Sequence, residues 1–290
     1  MQAVTLRSIT PVPLADVWAA LTDPAELEVW LAERAEVDLP TTFSFWGRNT
    51  PDGATPNQRL LHADGRTLRF AWRLHGIETT VEFALVDRGQ DTIISLTQSD
   101  VPPVADAIAN STPMAILVTF WSLAIANLVD HIEGRPITPR CDFTVPELRA
   151  DVTIGAPPED VYRSLMEPER FREWFGYGMT VEPHVGGRWA MGDDFTQEDS
   201  VARIIELEPG RKVVLEWPNL VSTWELEGAE GKTHLTFVNS GFDETNPPYP
   251  DWTGWLSGVA GLRRFHELPR FRSIWLTEKP THDTGSEDLS

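Results

Sequence analysis

The polar and apolar positions of this chain run through the same order twice. Each half opens on a short alternating run, "AVTLRSIT" at 3–10 and "RADVTIGA" at 149–156. Period-two alternation predicts a half-buried strand. Helical spacing follows in "LADVWAALTDPAELEVWL" (14–31) and "PEDVYRSLMEPERFREWF" (158–175). These two stretches align at a constant offset of 144, which pairs Asp16 with Asp160, Val17 with Val161, Leu21 with Leu165, Pro24 with Pro168 and Trp30 with Trp174. Proline is tolerated in a first helical turn and disruptive later, so Pro24 and Pro168 predict two short helices in each stretch rather than one. Asp23 and Glu167 place a negative charge at the second start, as the helix dipole favours.

Strand-like runs come next. In the first half they are "TTFSFW", "QRLLHA", "RTLRFAWRL", "ETTVEFALV" and "DTIISLTQS"; in the second, "GGRWAM", "DSVARIIELE", "RKVVLEW", "LVSTWELE" and "KTHLTFVNS". Turn residues separate them, at "DG" 64–65, "RGQD" 88–91, "EPGR" 208–211 and "EGAEGK" 227–232, which predicts an antiparallel meander. A long helix closes each half, over 113–133 and 251–268. Gly134 and Pro136 stop the first of them. A repeat this long is a duplicated domain, because solenoid and propeller repeats run to roughly 20–50 residues. The expected organisation is one domain over 1–140, a second over 147–277, and a polar, disordered tail over 278–290.

The second half carries a resemblance in "APPEDVYRSLMEPERFREWFG", "GGRW", "IIELEPGRKVVLEW", "LTFVNSGF" and "GWLSGVAGL". These stretches resemble the bacterial family homologous to the activator of the heat-shock-protein-90 ATPase, which also holds a calicheamicin self-resistance protein. The family lies in the START-like, Bet v 1-like (SRPBCC) superfamily. The first half resembles it less closely: "FSFW" stands for "GGRW", and Phe120-Trp121 for the Gly-Trp of the last helix. The resemblance implies an α+β fold of two tandem helix-grip domains, each a curved antiparallel sheet wrapped around its long C-terminal helix. It also implies a cavity between sheet and helix. The fold serves ligand carriers, cyclases and cochaperones, so by itself it does not decide activity.

Strand alternation and helix spacing aim large side chains at that space. "RTLRFAWRL" puts Leu68, Phe70, Trp72 and Leu74 on one face, and "VVLEW" and "STWEL" do the same with Val213, Leu215, Trp217, Trp224 and Leu226. The long helices offer Phe120 and Trp121 in the first half, and Trp252 and Trp255 in the second. The expected first-half wall is Trp46, Phe70, Trp72, Phe120 and Trp121; the second is Trp189, Trp217, Trp224, Trp252 and Trp255. Twelve Trp is many for one chain, yet large aromatics also fill ordinary cores. Two amides sit where apolar residues are expected, Gln98 beside Ile94 and Leu96, and Asn239 beside Leu235 and Phe237. Each could orient a polar group of a ligand or satisfy a loop backbone.

Composition narrows the chemistry. A net charge of −20, from 24 Lys and Arg against 44 Asp and Glu, argues against nucleic acid and anionic membranes as partners. The lone Cys141 excludes an internal disulfide and fits a reducing compartment. No apolar run is long enough to predict a membrane span, and the N-terminal "MQAVTLRSIT" lacks a signal-peptide pattern, so a cytoplasmic location is expected. The seven His are scattered and show no metal-ligand spacing; no P-loop, nucleophile elbow or dinucleotide fingerprint occurs, so neither metal nor cofactor is expected. His75 and His184, near strand ends, are candidate acids or bases. Three functions remain open. One is binding of a hydrophobic, aromatic small molecule, for sequestration, delivery or self-resistance. Another is a cofactor-independent enzyme of the polyketide cyclase or aromatase kind, which needs mainly positioning. The third, carried by the family name, is a chaperone-activating interaction protein.

Overall fold

The computed structural model describes residues 2–101, 116–196 and 200–276. The first half comprises β1 (Gln2–Thr10), α1 (Leu14–Thr22), α2 (Pro24–Trp30), β2 (Arg34–Asp38), β3 (Thr42–Trp46), β4 (Gln58–Ala63), β5 (Thr67–Leu74), β6 (Ile77–Asp87), β7 (Thr92–Val101) and the long helix α3 (Ile116–Ile132). The second half repeats the order as β8 (Leu148–Ile154), α4 (Pro158–Met166), α5 (Pro168–Phe175), β9 (Met179–Val181), β10 (Arg188–Met191), β11 (Val201–Glu208), β12 (Lys212–Glu216), β13 (Val221–Ala229), β14 (Lys232–Ser240) and α6 (Tyr249–Glu267). All strand pairs are antiparallel, and the two halves are tandem helix-grip domains of α+β class. The short strands β2 and β9 have no counterpart among the runs read from the sequence. Residues 113–115 of the expected first long helix and the expected tail at 278–290 lie outside the described residues.

The repeat extends to individual hydrogen bonds. Pro24 and Pro168 each occupy the first turn of the second short helix. Each of those helices carries in its last turn a buried tryptophan whose indole N–H donates to a carbonyl ten residues back: Trp30 to Ala20 O at 2.9 Å and Trp174 to Ser164 O at 2.8 Å. A strand threonine ties each sheet to the turn before the first helix. Thr92 Oγ1 donates to Val12 O (2.7 Å), and Thr233 Oγ1 to Ala156 O (2.6 Å).

The sheets differ at one point. The second half has a continuous seven-stranded sheet in the order β8-β14-β13-β12-β11-β10-β9. In the first half the sheet breaks into five strands, β1-β7-β6-β5-β4, and a separate pair, β2-β3. At the break the side chain of Gln58 replaces a strand backbone and accepts from Phe45 N–H at 3.1 Å. The connection at this point is of similar length in both halves, residues 47–57 in the first and 192–200 in the second.

The halves meet where α3 crosses α6. Thr253 Oγ1 donates to Thr119 Oγ1 at 2.8 Å, across 134 residues of sequence. The same separation relates Arg264 and Asp130, which form an ion pair at 2.7 Å. Asp130 is fully buried. It also receives Arg263 Nη2 at 2.6 Å and Arg135 Nε at 3.2 Å, while Arg264 reaches Glu133 and Arg135 reaches Glu267, both at 2.8 Å. The stretch after α3 is packed rather than extended. Asn127 grips Thr138 through both its backbone groups, Phe143 N–H donates to Arg48 O, and Arg140 donates to Glu28 O and Ala32 O. The chain then returns beyond α6: Ile9 N–H donates to Ile274 O and Leu276 N–H to Arg7 O, so residues 274–276 lie along the outer edge of β1, with Ile274 in the first-half core.

Two predictions follow from this seam. Asp130→Ala would leave Arg263 buried without a counter-charge and Arg264 with Glu133 alone, and is expected to cost about 3–5 kcal/mol in denaturant unfolding. His266, on the last turn of α6, faces Ser164 Oγ at 3.0 Å, and burial lowers its pKa from 6.5. The fold therefore favours the neutral ring. The stability this contributes is present above the unfolded value and is lost as pH falls through the lowered folded one. His266→Gln is expected to flatten the pH dependence of unfolding free energy as pH falls below the ordinary histidine value of 6.5, relative to wild type.

Candidate functional site

Strand pleating and the two long helices bring most of the expected aromatic residues together. In the first half Leu68, Phe70, Trp72 and Leu74 all face inward from β5 and are buried, while Arg69 and Arg73 point outward. Trp72 lies within ring contact of Phe120 (5.8 Å between centroids) and Trp121 (5.6 Å) on α3. In the second half Trp255 of α6 sits among Trp189 (5.9 Å), Trp224 (5.2 Å) and Phe237 (6.2 Å). Phe237 stacks between Trp224 and Trp252, at 4.0 Å and 4.9 Å. Trp217 closes the row against Trp189 at 5.7 Å and is half-buried.

One expected wall residue is misplaced. Trp46 is half-buried at the end of β3 and joins no ring contact among the described residues; Phe43 and Phe45 fill the core from that strand instead. Alternation requires this, since Trp46 follows Phe45 and so points to the opposite face. Applied strictly to "TTFSFW", the same rule would have selected the two phenylalanines. Phe171 of α5 also joins the second cluster, 5.7 Å from Trp189; its place in the repeat, opposite Leu27, was the available signal.

Among the described residues the second-half interior is closed. The space enclosed by Leu165, Met166, Phe171, Trp189, Val213, Leu215, Trp224 and Trp255 amounts to about 10 Å³, against roughly 300 Å³ or more for an ordinary ligand pocket. The rings are packed edge to face and fill the volume. A larger concavity, about 610 Å³, lies open at the strand ends of the second half, between residues 145–149 and residues 238–242, with Asn239 in its wall.

The two amides have diverged. Gln98 is paired at both ends: Trp121 Nε1 donates to its Oε1 at 2.7 Å, and its Nε2 donates to Thr79 Oγ1 at 2.9 Å, which in turn donates to Trp72 O. Neither a ligand nor a loop backbone is needed to satisfy it. Asn239 accepts from Ser222 Oγ at 2.9 Å, and Ser222 accepts from Trp217 Nε1 at 3.1 Å. The Nδ2 of Asn239 is buried and has no partner. Trp72 Nε1 is likewise unpaired, but Phe45, Phe120 and Trp121 surround it, and a ring face is a weak acceptor. Ser222 and Thr79 had no signal in the sequence beyond their strand positions.

The histidine candidates stand apart from both clusters. His75 is exposed in the β5–β6 turn at φ 47°, with its N–H donating to Asp52. His184 is exposed in the turn before β10, its Nδ1 3.1 Å from Val185 O. No titratable side chain lines the second-half interior. Burial pushes the Cys141 thiol far up, away from the reactive thiolate. Among the described residues no cluster of His, Cys, Asp or Glu could hold a metal ion, and no helix is long and apolar enough to cross a membrane.

Because the rings are in contact on all sides, Trp72→Ala and Trp224→Ala are each expected to lose about 3–5 kcal/mol in urea unfolding. Trp46→Ala, at the half-exposed position, is expected to lose about 1 kcal/mol or less in the same measurement.

Comparison with known proteins matches this architecture to one family. Two segments, residues 11–129 and 155–256, fit the model of the activator of Hsp90 ATPase homolog 1-like proteins. No curated protein matches the chain. Among solved structures, CalU16 from Micromonospora echinospora is 22% identical, with 46% of this chain and 76% of that one covered at a TM-score of 0.37. DynU16, from the dynemicin biosynthetic locus, is 15% identical, with 92% and 99% covered at a TM-score of 0.39. EF2215 from Enterococcus faecalis is 23% identical, with 42% and 71% covered at 0.36. The two matched segments coincide with the two halves of the duplication and together take in most of the chain, so this protein belongs to the activator of Hsp90 ATPase homolog 1-like family as a tandem pair of its domains.

Proposed function

We propose that the second half binds a hydrophobic, aromatic small molecule between α6 and its sheet, for sequestration or delivery, and that the first half is a packed scaffold. The observation that carries this reading is the way α6 is held. Its polar ties to α3, to α4 and to the turn after β8 gather at its C-terminal end, through Arg263, Arg264, His266 and Glu267. Nearer its start, Tyr249 donates to Val145 O and Thr253 to Thr119, both outside the second-half sheet. Over the aromatic cluster, therefore, ring contacts hold helix to sheet. Gly254, Gly258 and Gly261 let the helix lie close to Thr119, Phe175 and Trp174, and packing contacts of this kind, unlike the charged ties at its C-terminal end, can part to open a closed apolar interior. The indole and phenyl rings of this cluster are well matched to a flat apolar ligand, which would replace ring–ring contacts with ring–ligand ones.

The cyclase reading asks for a proton donor or acceptor beside the substrate. The interior supplies none, and His75 and His184 lie elsewhere.

The test is equilibrium dialysis of the full chain against fluorene, a flat apolar tricycle. Saturable binding near one equivalent is expected, lost in Trp255→Leu and retained in Trp121→Leu. No saturable binding, or equal loss in both variants, would overturn the reading.

A further inference from the structure

We infer that Asn239 Nδ2 is a fixed hydrogen-bond donor for a neutral carbonyl oxygen, so that the second half selects aromatic ketones or quinones over hydrocarbons of the same shape. The inference rests on the hydrophobic-site reading above and adds the chemical class of the ligand.

The direction of the polar chain is set by its first member. An indole N–H can only donate, so Ser222 Oγ accepts from Trp217 and spends its own proton on Asn239 Oδ1. The amide's oxygen is thereby occupied and its NH₂ group is left over. Asn239 is 3% exposed, and its Nδ2 has no partner. Buried amide donors are rarely left this way, because the cost of stripping their water is not recovered. A ligand that supplies an acceptor recovers it.

Position favours the same conclusion. Asn239 follows Phe237 on the inward face of β14, directly opposite Ser222 on β13. It therefore stands at the end of the stack formed by Trp224, Phe237 and Trp252, and also in the wall of the open concavity at the strand ends. A planar ligand lying along those rings would present its edge to this amide. The first half shows what an occupied amide looks like: there Trp121 and Thr79 use both ends of Gln98.

Charge then separates a neutral carbonyl from a carboxylate or phosphate. No cation lines the aromatic interior, Glu147 and Glu244 flank the concavity, and Arg149 beside them is engaged by Asp151. An anion would enter an apolar, acidic neighbourhood with one neutral donor to meet it, which is unfavourable.

The experiment compares fluorene with 9-fluorenone, which has the same tricycle with a carbonyl, using the full chain and Asn239→Leu. The variant is expected to bind fluorenone about tenfold more weakly than wild type, the scale of one lost hydrogen bond, and fluorene within about twofold. The carbonyl stretch of fluorenone bound to wild type is expected to shift to lower frequency than in hydrocarbon solvent, a readout that holds even if the variant fails to fold. An unshifted stretch, or fluorenone affinity that survives in folded Asn239→Leu, would overturn the inference while leaving the hydrophobic site standing. Binding of neither tricycle to wild type would overturn both.

Discussion

One carboxylate without solvent holds the two halves in register. Asp130 is completely buried and faces three arginines, two from α6 and one from the segment that follows α3. An ion pair of this kind adds little net stability over apolar packing, because both partners lose their water. It does penalise any arrangement that separates the charges. Sliding α6 by one turn along α3 would strand Arg263 and Arg264 in a dry interface. The crossing of the long helices is thus specified by charge, and since each long helix is the spine of its own sheet, the placement of both sheets follows from it.

That pinning also shapes the site. The charged anchors of α6 cluster at its C-terminal end, while its first turns are tied by Tyr249 to Val145 and by Thr253 to Thr119, away from the second-half sheet. The first half has no such asymmetry in its core. There the indole of Trp121 on the helix donates to Gln98 on the sheet, a direct helix-to-sheet tie at the centre of the cluster. The difference rests partly on one methylene. Gln98 is long enough to meet the helix indole and Thr79 together. Asn239 is shorter, meets the neighbouring strand through Ser222, and keeps a donor unspent. One methylene thus separates a structural tie from a free valence.

The broken first-half sheet shows the same economy of divergence. Residues 47–57 run between β3 and β4, and Gln58 bridges the gap by offering its side-chain oxygen to Phe45 N–H. The segment after α6 then covers β1, so that edge of the first sheet is paired with chain from beyond the second. The halves are tied by helix crossing, by charge and by strand addition, three interactions that each span more than a hundred residues of sequence.

How far the sequence reached can be told residue by residue. The offset repeat, the paired prolines and the inward face of β5 were all legible, because helix caps and strand alternation depend on neighbours within a few positions. Trp46 was misread where ring size was allowed to outweigh alternation. The strands β2 and β9 were too short to show a period. The closed interior, the partners of Gln98 and Asn239 and the Asp130 cluster were not legible at all. A cavity's volume is a small difference between the space enclosed and the side chains filling it, and a hydrogen bond is decided within a fraction of an ångström. Trp217 lies just past β12 while Ser222 and Asn239 lie on β13 and β14, and Asp130 meets Arg264 across 134 residues. By itself the sequence determined two tandem helix-grip units and the apolar faces each would bury; only the tertiary structure decided that those faces close on one another, because their distances are set by residues that local pattern cannot connect.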